Sequence, residues 1–122
     1  IINMQRKKTG KLFNFCCLSV GIIAKKDKVV KKKLSLLGEE IGLLFQLADD
    51  FIDIKGSLKL SGKPIRKDKK KGKSTLISLK GYEKSYKFAE NLKKNILRKL
   101  LKHGKKANEL INTVEFILER KF

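Results

Sequence analysis

An all-α helical bundle is the fold class that this 122-residue sequence predicts. Strand-like alternation of apolar and polar residues is nearly absent, whereas several segments repeat their apolar positions with the period of an α-helix. Pro64 is the only proline, so little in the sequence would interrupt these helices. With 41% hydrophobic residues, the chain can bury a core of moderate size, in one domain at most.

Five segments have helical period. They cover about residues 2–25, 29–54, 74–79, 82–102 and 106–120. Segment 55–73, rich in Lys, Gly and Ser, reads as an exposed loop, and Ser74 is expected to cap the short third helix. The last two helices each carry a single apolar stripe, which predicts amphipathic helices packed on a core. The stripe residues are Phe88, Leu92, Ile96, Leu97, Leu100 and Leu101, then Leu110, Ile111, Val114, Ile117 and Leu118.

The helix predicted over residues 29–54 is apolar nearly all round, so we expect it at the centre of the bundle. At 100° per residue, its one exception is a narrow stripe that begins with small residues and ends in carboxylates. Glycine at two of these positions costs roughly 1 kcal/mol each relative to alanine, so something must occupy the space they leave. The stripe consists of Ser35, Gly38, Gly42, Gln46, Asp49 and Asp53.

The formal net charge is +19, and nearly all of the positive charge is lysine. Strongly basic chains often bind nucleic acid or anionic membranes, but base readout and bidentate phosphate contacts favour arginine. We therefore assign most of this charge to solvated surface and expect no nucleic acid partner. A basic helical module that binds nucleic acid or an acidic partner stays the alternative, and its affinity would fall steeply with salt.

Cys16 and Cys17 are adjacent, so they are poorly placed to bridge each other, and they form no disulfide framework or zinc spacing. Both lie in the apolar run 12–24, which predicts that they are core residues of a cytoplasmic protein. This run is too short to cross a bilayer, so no membrane span is expected.

Three aspartates stand out within the long apolar helix. Asp49, Asp50 and Asp53 lie at i, i+1 and i+4, which places the Cβ atoms of Asp49 and Asp50 each about 5–6 Å, or one helical turn, from that of Asp53. Without a cation these carboxylates would repel one another, and no lysine lies at i±4 of Asp49 or Asp53 to offset them. A Mg²⁺ ion, which takes one or two carboxylates, waters and phosphate oxygens, resolves the conflict. The sequence therefore predicts a magnesium site here.

Lysines near the aspartates suit a diphosphate. Lys8 precedes Thr9 in the first helix, and Lys63 and Lys73 sit beside glycines in the loop that follows the aspartates. Ammonium groups neutralise a diphosphate, and a flexible loop can close over it. The stretch KKGKST is not a nucleotide P-loop, because Lys67 stands where that motif needs glycine.

These stretches together resemble the trans-isoprenyl diphosphate synthases, the farnesyl and geranylgeranyl diphosphate synthase family. The nine residues FQLADDFID resemble the family's second aspartate-rich motif, FQxxDDxxD. Upstream, KKTGKLF is similar to its K-T-G-x-L-[FI] element, and downstream SGKPIRKDKKKGKSTLISLKG resembles its G-K-x-x-x-D…G-K-x-T segment. The terminal ILERKF is like the family's usual ending.

The resemblance implies an all-α isoprenoid synthase fold that condenses an allylic diphosphate with isopentenyl diphosphate, using Mg²⁺, in a homodimer. Its implied metal ligands are Asp49, Asp50 and Asp53. Its implied diphosphate contacts are Lys8, Lys63 and Lys73. Catalytic roles fall to Lys8, Thr9 and Gln46, with Phe45 and Gln46 along the prenyl chain. The stripe of Ser35, Gly38 and Gly42 would lie beside an apolar cavity.

The sequence also departs from this family. The family's first motif, DDxxD, is absent, and Asp27 is the only acidic residue before Glu39. We therefore expect residues 1–122 to be the C-terminal half of a polyprenyl synthase domain that lacks its N-terminal half and does not turn over unaided. A non-catalytic regulatory relative is the third reading.

Overall fold

The computed structural model describes residues 7, 9–61 and 75–120, with the backbone alone for residues 57–61. Within these ranges the chain is helical and contains no strand, which confirms the all-α prediction. The elements are α1 (Thr9–Ile23), α2 (Lys28–Ser61), α3 (Leu76–Lys80), α4 (Tyr82–Leu101), a 3₁₀ helix (Gly104–Ala107) and α5 (Asn108–Glu119).

The long helix α2 continues to Ser61, beyond the predicted end at Ile54. Residues 55–61, expected to begin an exposed loop, are therefore helical. Glycine and serine lower helix propensity by about 1 kcal/mol or less each, whereas only proline excludes helix strongly, and Pro64 comes later. The prediction gave the Gly- and Ser-rich composition too much weight.

The short helix α3 begins at Leu76, one residue later than it would with Ser74 as its N-cap. Its N-cap is Thr75, whose Oγ1 accepts a hydrogen bond from the Ser78 backbone N–H at 3.2 Å. Threonine satisfies an N-terminal N–H group of the helix in the same way as serine. Ser74 itself lies outside the described residues.

Helix α2 is central, as its apolar surface predicted. Helices α1, α4 and α5 all pack against it. Its buried side chains, together with those of the later helices, form one hydrophobic core. The core consists of Ile41, Leu43, Leu44, Leu47, Ala48, Phe51, Leu76, Ile77, Ala89, Ile96, Leu100, Val114 and Ile117.

The predicted apolar stripes of α4 and α5 face this core with one exception. Leu101 is 64% exposed, although its neighbour Leu100 is buried. Successive helical residues are rotated by about 100°, so the last residue of α4 points away from the core that Leu100 enters. The prediction is wrong for Leu101 and holds for the rest of both stripes.

The space beside the small residues of α2 is filled by α1. A Cβ atom on Gly38 would lie 2.5 Å from the Phe13 carbonyl oxygen, and one on Gly42 would lie 2.6 Å from the Gly10 Cα. The two backbones therefore approach as closely as glycine permits. The expectation of an apolar cavity beside this stripe is wrong, because a helix occupies that position.

The outer face of α1 is apolar and exposed. Its exposed apolar side chains are Leu12, Phe15, Val20, Ile22 and Ile23. Cys16 is also exposed and Cys17 is half-buried, both as free thiols. The prediction that both cysteines are core residues is therefore wrong, because only one side of α1 packs against α2. None of the helices in the described part of the chain combines the length and the hydropathy of a membrane-spanning segment.

Candidate active site

The three aspartates lie where α2 leaves the core. Asp49 and Asp50 are half-buried and Asp53 is exposed, while Ala48 and Phe51 on the inner side of the same turns are buried. The carboxylates therefore form the polar edge of a helix whose other side is in the core. A ligand in solution can reach this edge without opening the core.

Two sequence motifs meet at this edge. The Thr9 hydroxyl donates to Gln46 Oε1 at 3.0 Å, across 37 residues of sequence. The Gln46 amide Nε2 then donates to Asp50 Oδ1 at 3.3 Å. The structure thus joins the threonine of KTG to the second aspartate of DDxxD through the glutamine between them. Three of the predicted site residues are brought together in one line of hydrogen bonds.

Asp49 is held by a residue that the sequence analysis missed. Arg120, directly after α5, pairs through Nη2 with Asp49 Oδ1. Positions one turn away on the same helix carry no lysine, and Arg120 lies 71 residues further along the chain. The available signal was that Arg120 is one of only four arginines in a lysine-rich chain and follows directly on an amphipathic helix.

Phe45, predicted to line the prenyl chain, lies between two neighbours. Its ring centroid is 5.5 Å from that of Phe13, and the Arg120 Cζ lies 4.1 Å from it over the ring face. The side chain is half-buried. Its ring thus supports the arginine that contacts Asp49, and its role toward a prenyl chain stays a prediction.

Lys8, Lys63 and Lys73 lie outside the described residues, and their contacts with a diphosphate stay predictions. An open groove of about 570 Å³ is found elsewhere, between α3 and α4. Its described lining contains none of the predicted site residues. It consists of Leu79, Lys80, Lys84, Lys87, Phe88 and Asn91.

The carboxylates of this edge are of the ligand type that Mg²⁺ takes. Within the part of the chain that the structure describes, no three acidic, histidine or cysteine side chains converge to enclose a metal. Mg²⁺ needs no such enclosure, because it takes one or two carboxylates and completes its octahedron with waters and phosphate oxygens. Asp49 and Asp53, one helical turn apart on the solvent side, meet this requirement.

Residues 2–114 match the family model described as Polyprenyl synthetase. The chain belongs to the polyprenyl synthetase family. This match extends over nearly the whole chain and confirms the resemblance seen in the FQxxDDxxD and KTG motifs.

Named relatives agree with the family assignment. Farnesyl diphosphate synthase of Micrococcus luteus is 38% identical over 78 residues, which are 64% of this chain and 27% of that protein. Geranylgeranyl diphosphate synthase of Cyanophora paradoxa is 35% identical over 113 residues, which are 93% of this chain and 38% of that protein. The chain thus spans less than two fifths of the length of these relatives. No solved structure gives a significant match.

Proposed function

We propose that this chain carries the second aspartate-rich motif of a Mg²⁺-dependent isoprenyl diphosphate synthase. The substrates are an allylic diphosphate and isopentenyl diphosphate, by analogy with the relatives named farnesyl and geranylgeranyl diphosphate synthase. The observation that carries the proposal is the hydrogen-bonded line from Thr9 through Gln46 to Asp50. Neighbouring polar side chains from two distant motifs meet there, next to carboxylates that solvent can reach.

In this proposal Asp49, Asp50 and Asp53 supply the negative edge that attracts a cation. Gln46 holds Asp50 by its amide N–H while its carbonyl accepts from Thr9, so the carboxylate keeps one orientation. Mg²⁺, when bound, neutralises the diphosphate and makes it a better leaving group. A carboxylate whose rotamer is already set loses less conformational entropy on binding a cation than a mobile carboxylate does.

The remaining proposed roles concern the reacting substrate. Lys8, Lys63 and Lys73 would pair with the diphosphate oxygens, since ammonium groups form charge-assisted hydrogen bonds with phosphate. The allylic C–O bond breaks as pyrophosphate leaves, and the double bond of isopentenyl diphosphate attacks the allylic cation. Loss of a proton then gives a prenyl chain longer by five carbons. A homodimer in the cytoplasm belongs to the same proposal.

A calorimetric titration with inorganic pyrophosphate tests the metal-dependent part. We expect binding in Mg²⁺ that is lost in EDTA and that weakens at least tenfold in Asp49→Ala. Glu90→Ala, which removes an exposed carboxylate from α4, is the matched control and should bind as the wild type does. Binding that persists in EDTA and falls steeply with salt would instead identify a basic binding module.

Transfer of a prenyl group is tested in a chimera. The 113 residues of the Cyanophora paradoxa synthase that align with this chain are replaced by the present sequence, and incorporation of labelled isopentenyl diphosphate is measured. We expect activity that disappears in the Asp49→Ala chimera. A folded chimera that binds pyrophosphate with Mg²⁺ yet makes no product would favour the non-catalytic regulatory reading.

A further inference from the structure

Arg120 contacts one of the candidate metal ligands from a different helix. Its Nη2 pairs with Asp49 Oδ1, and its side chain is only 13% exposed, whereas that of Asp49 is 41% exposed. We propose that Arg120 is a positioning residue: it fixes the Asp49 carboxylate so that this group can receive a divalent cation together with a diphosphate. This inference rests on the proposed function.

The guanidinium is anchored independently of Asp49. Nε donates to the Ile117 carbonyl at 3.2 Å, and Nη2 also donates to the Phe45 carbonyl at 3.3 Å. The Phe45 ring face lies 4.1 Å from Cζ, a cation–π contact that adds to the hold on the guanidinium. Contacts on three sides therefore hold the donor in place whether or not the carboxylate moves.

Pairing with Arg120 leaves capacity on Asp49. An ionised carboxylate offers about four lone-pair positions on its two oxygens, and the contact with Nη2 uses one of them. The exposed part of the side chain faces solvent. A cation can therefore bind the same carboxylate while the arginine keeps its contact.

Positioning is the favoured role because of the charge and geometry of this edge. Asp49 lies one turn from Asp53 on the same helix. A fixed guanidinium orients the Asp49 carboxylate, as outer partners of metal ligands do when they are rigid. The opposite role, a competitor that must leave before a cation binds, would require a mobile arginine. The two backbone hydrogen bonds oppose such movement.

The test measures metal affinity, so it does not depend on turnover. Mn²⁺ is titrated into the 122-residue chain without pyrophosphate, which would itself bind the metal, and free Mn²⁺ is followed by electron paramagnetic resonance. We expect Arg120→Ala to bind Mn²⁺ about 10–100-fold more weakly, the range typical of outer-shell partners. Arg120→Lys should recover part of the loss, because an ammonium keeps the charge but lacks the planar fork.

Arg98→Ala is the matched control, since Arg98 is an exposed arginine on α4 whose Nη2 contacts Asn95. It should bind Mn²⁺ as the wild type does. Circular dichroism melting shows whether each variant is folded. In the Asp49→Ala background, Arg120→Ala should cause no further loss of Mn²⁺ affinity. If Arg120 were merely structural, its loss would weaken Mn²⁺ binding in that background as well.

Unchanged or tighter Mn²⁺ binding in folded Arg120→Ala would overturn the positioning role, the tighter result indicating a competitor. Additive losses in the double variant would overturn it as well. Failure of the proposed function looks different, because Asp49→Ala would then bind Mn²⁺ as tightly as the wild type. The two failures are thus separated by the Asp49 variant alone.

Discussion

The two sides of α2 are packed in opposite ways. On one side, α4 and α5 bury amphipathic faces, and a surface pair between Lys99 Nζ and Glu40 Oε1, 2.6 Å apart, lies at the edge. On the other side, α1 approaches through glycine and polar contacts, with Asn14 Nδ2 donating to Ser35 Oγ at 2.6 Å. Apart from Leu101 and Phe116, the exposed side chains of α4 and α5 are polar, whereas α1 exposes an apolar face.

This difference shows two ways in which a helix is fitted against α2. Apolar side chains give α4 and α5 their burial and tolerate small adjustments in position. Backbone contact at Gly38 and Gly42 instead requires the absence of a side chain, since an added carbon at either glycine collides with α1. The candidate site depends on both kinds of packing, because Thr9 belongs to α1 and Arg120 directly follows α5.

The largest expected effect tests the side-chain core. Ile96 is fully buried, so Ile96→Ala should lower the free energy of unfolding by about 2–5 kcal/mol through lost burial and a cavity. Leu101→Ala, at the exposed end of the same helix, should change it by less than about 0.5 kcal/mol. Urea unfolding measures both. Equal losses in the two variants would mean that α4 is not packed as described.

A somewhat smaller effect tests the glycine interface. Gly38→Ala places a methyl group against the Phe13 carbonyl and should destabilise the chain by about 1–3 kcal/mol. Gly56→Ala, in open space on the same helix, should instead stabilise it by about 0.5–1 kcal/mol through helix propensity. Thermal unfolding of the pair gives opposite signs if α1 lies against Gly38. A stabilising Gly38→Ala would place α1 elsewhere.

The smallest effect concerns the thiols of α1. Burial, and secondarily the charge of Cys16, raises the pKa of the Cys17 thiol. The thiolate is the reactive form, so Cys17 should be alkylated several-fold more slowly than Cys16 near pH 8 and should need a higher pH to react. Because the raised pKa favours the neutral thiol in the folded state, its contribution to stability is present below the thiol's ordinary pKa and declines above it.

Iodoacetamide labelling of Cys16→Ser and Cys17→Ser, each followed by mass spectrometry between pH 7 and 9.5, makes this measurement. Identical rates at every pH would show that both faces of α1 are equally open. That result would contradict the contrast between its packed and exposed sides.

Features with a local pattern could be predicted from the sequence. The all-α class and the core faces of α4 and α5 follow from apolar spacing, and the central place of α2 follows from its apolar circumference. The aspartates and Gln46 were found because they interrupt that circumference. Each of these signals lies within a few turns of one helix.

Features that depend on distant partners could not be predicted. Gly38 and Gly42 indicate a close approach but do not indicate whether a helix or a cavity lies beside them, and the cavity was implied only by the family resemblance. Arg120 pairs with Asp49 across 71 residues, a separation that leaves no periodic trace. The exposure of Cys16 depends on how many helices surround α1, which its own apolar run does not specify.

The long separation between Asp49 and Arg120 has a consequence for how the site forms during synthesis. Helix α2 and its contact with α1 need only the first half of the chain, whereas the Asp49 contact needs residue 120 to have been made. Contacts between residues far apart in sequence form late because their loop-closure entropy is paid only then. A growing chain therefore contains all three aspartates before Arg120 can contact Asp49, and this contact forms only after residue 120 has been made.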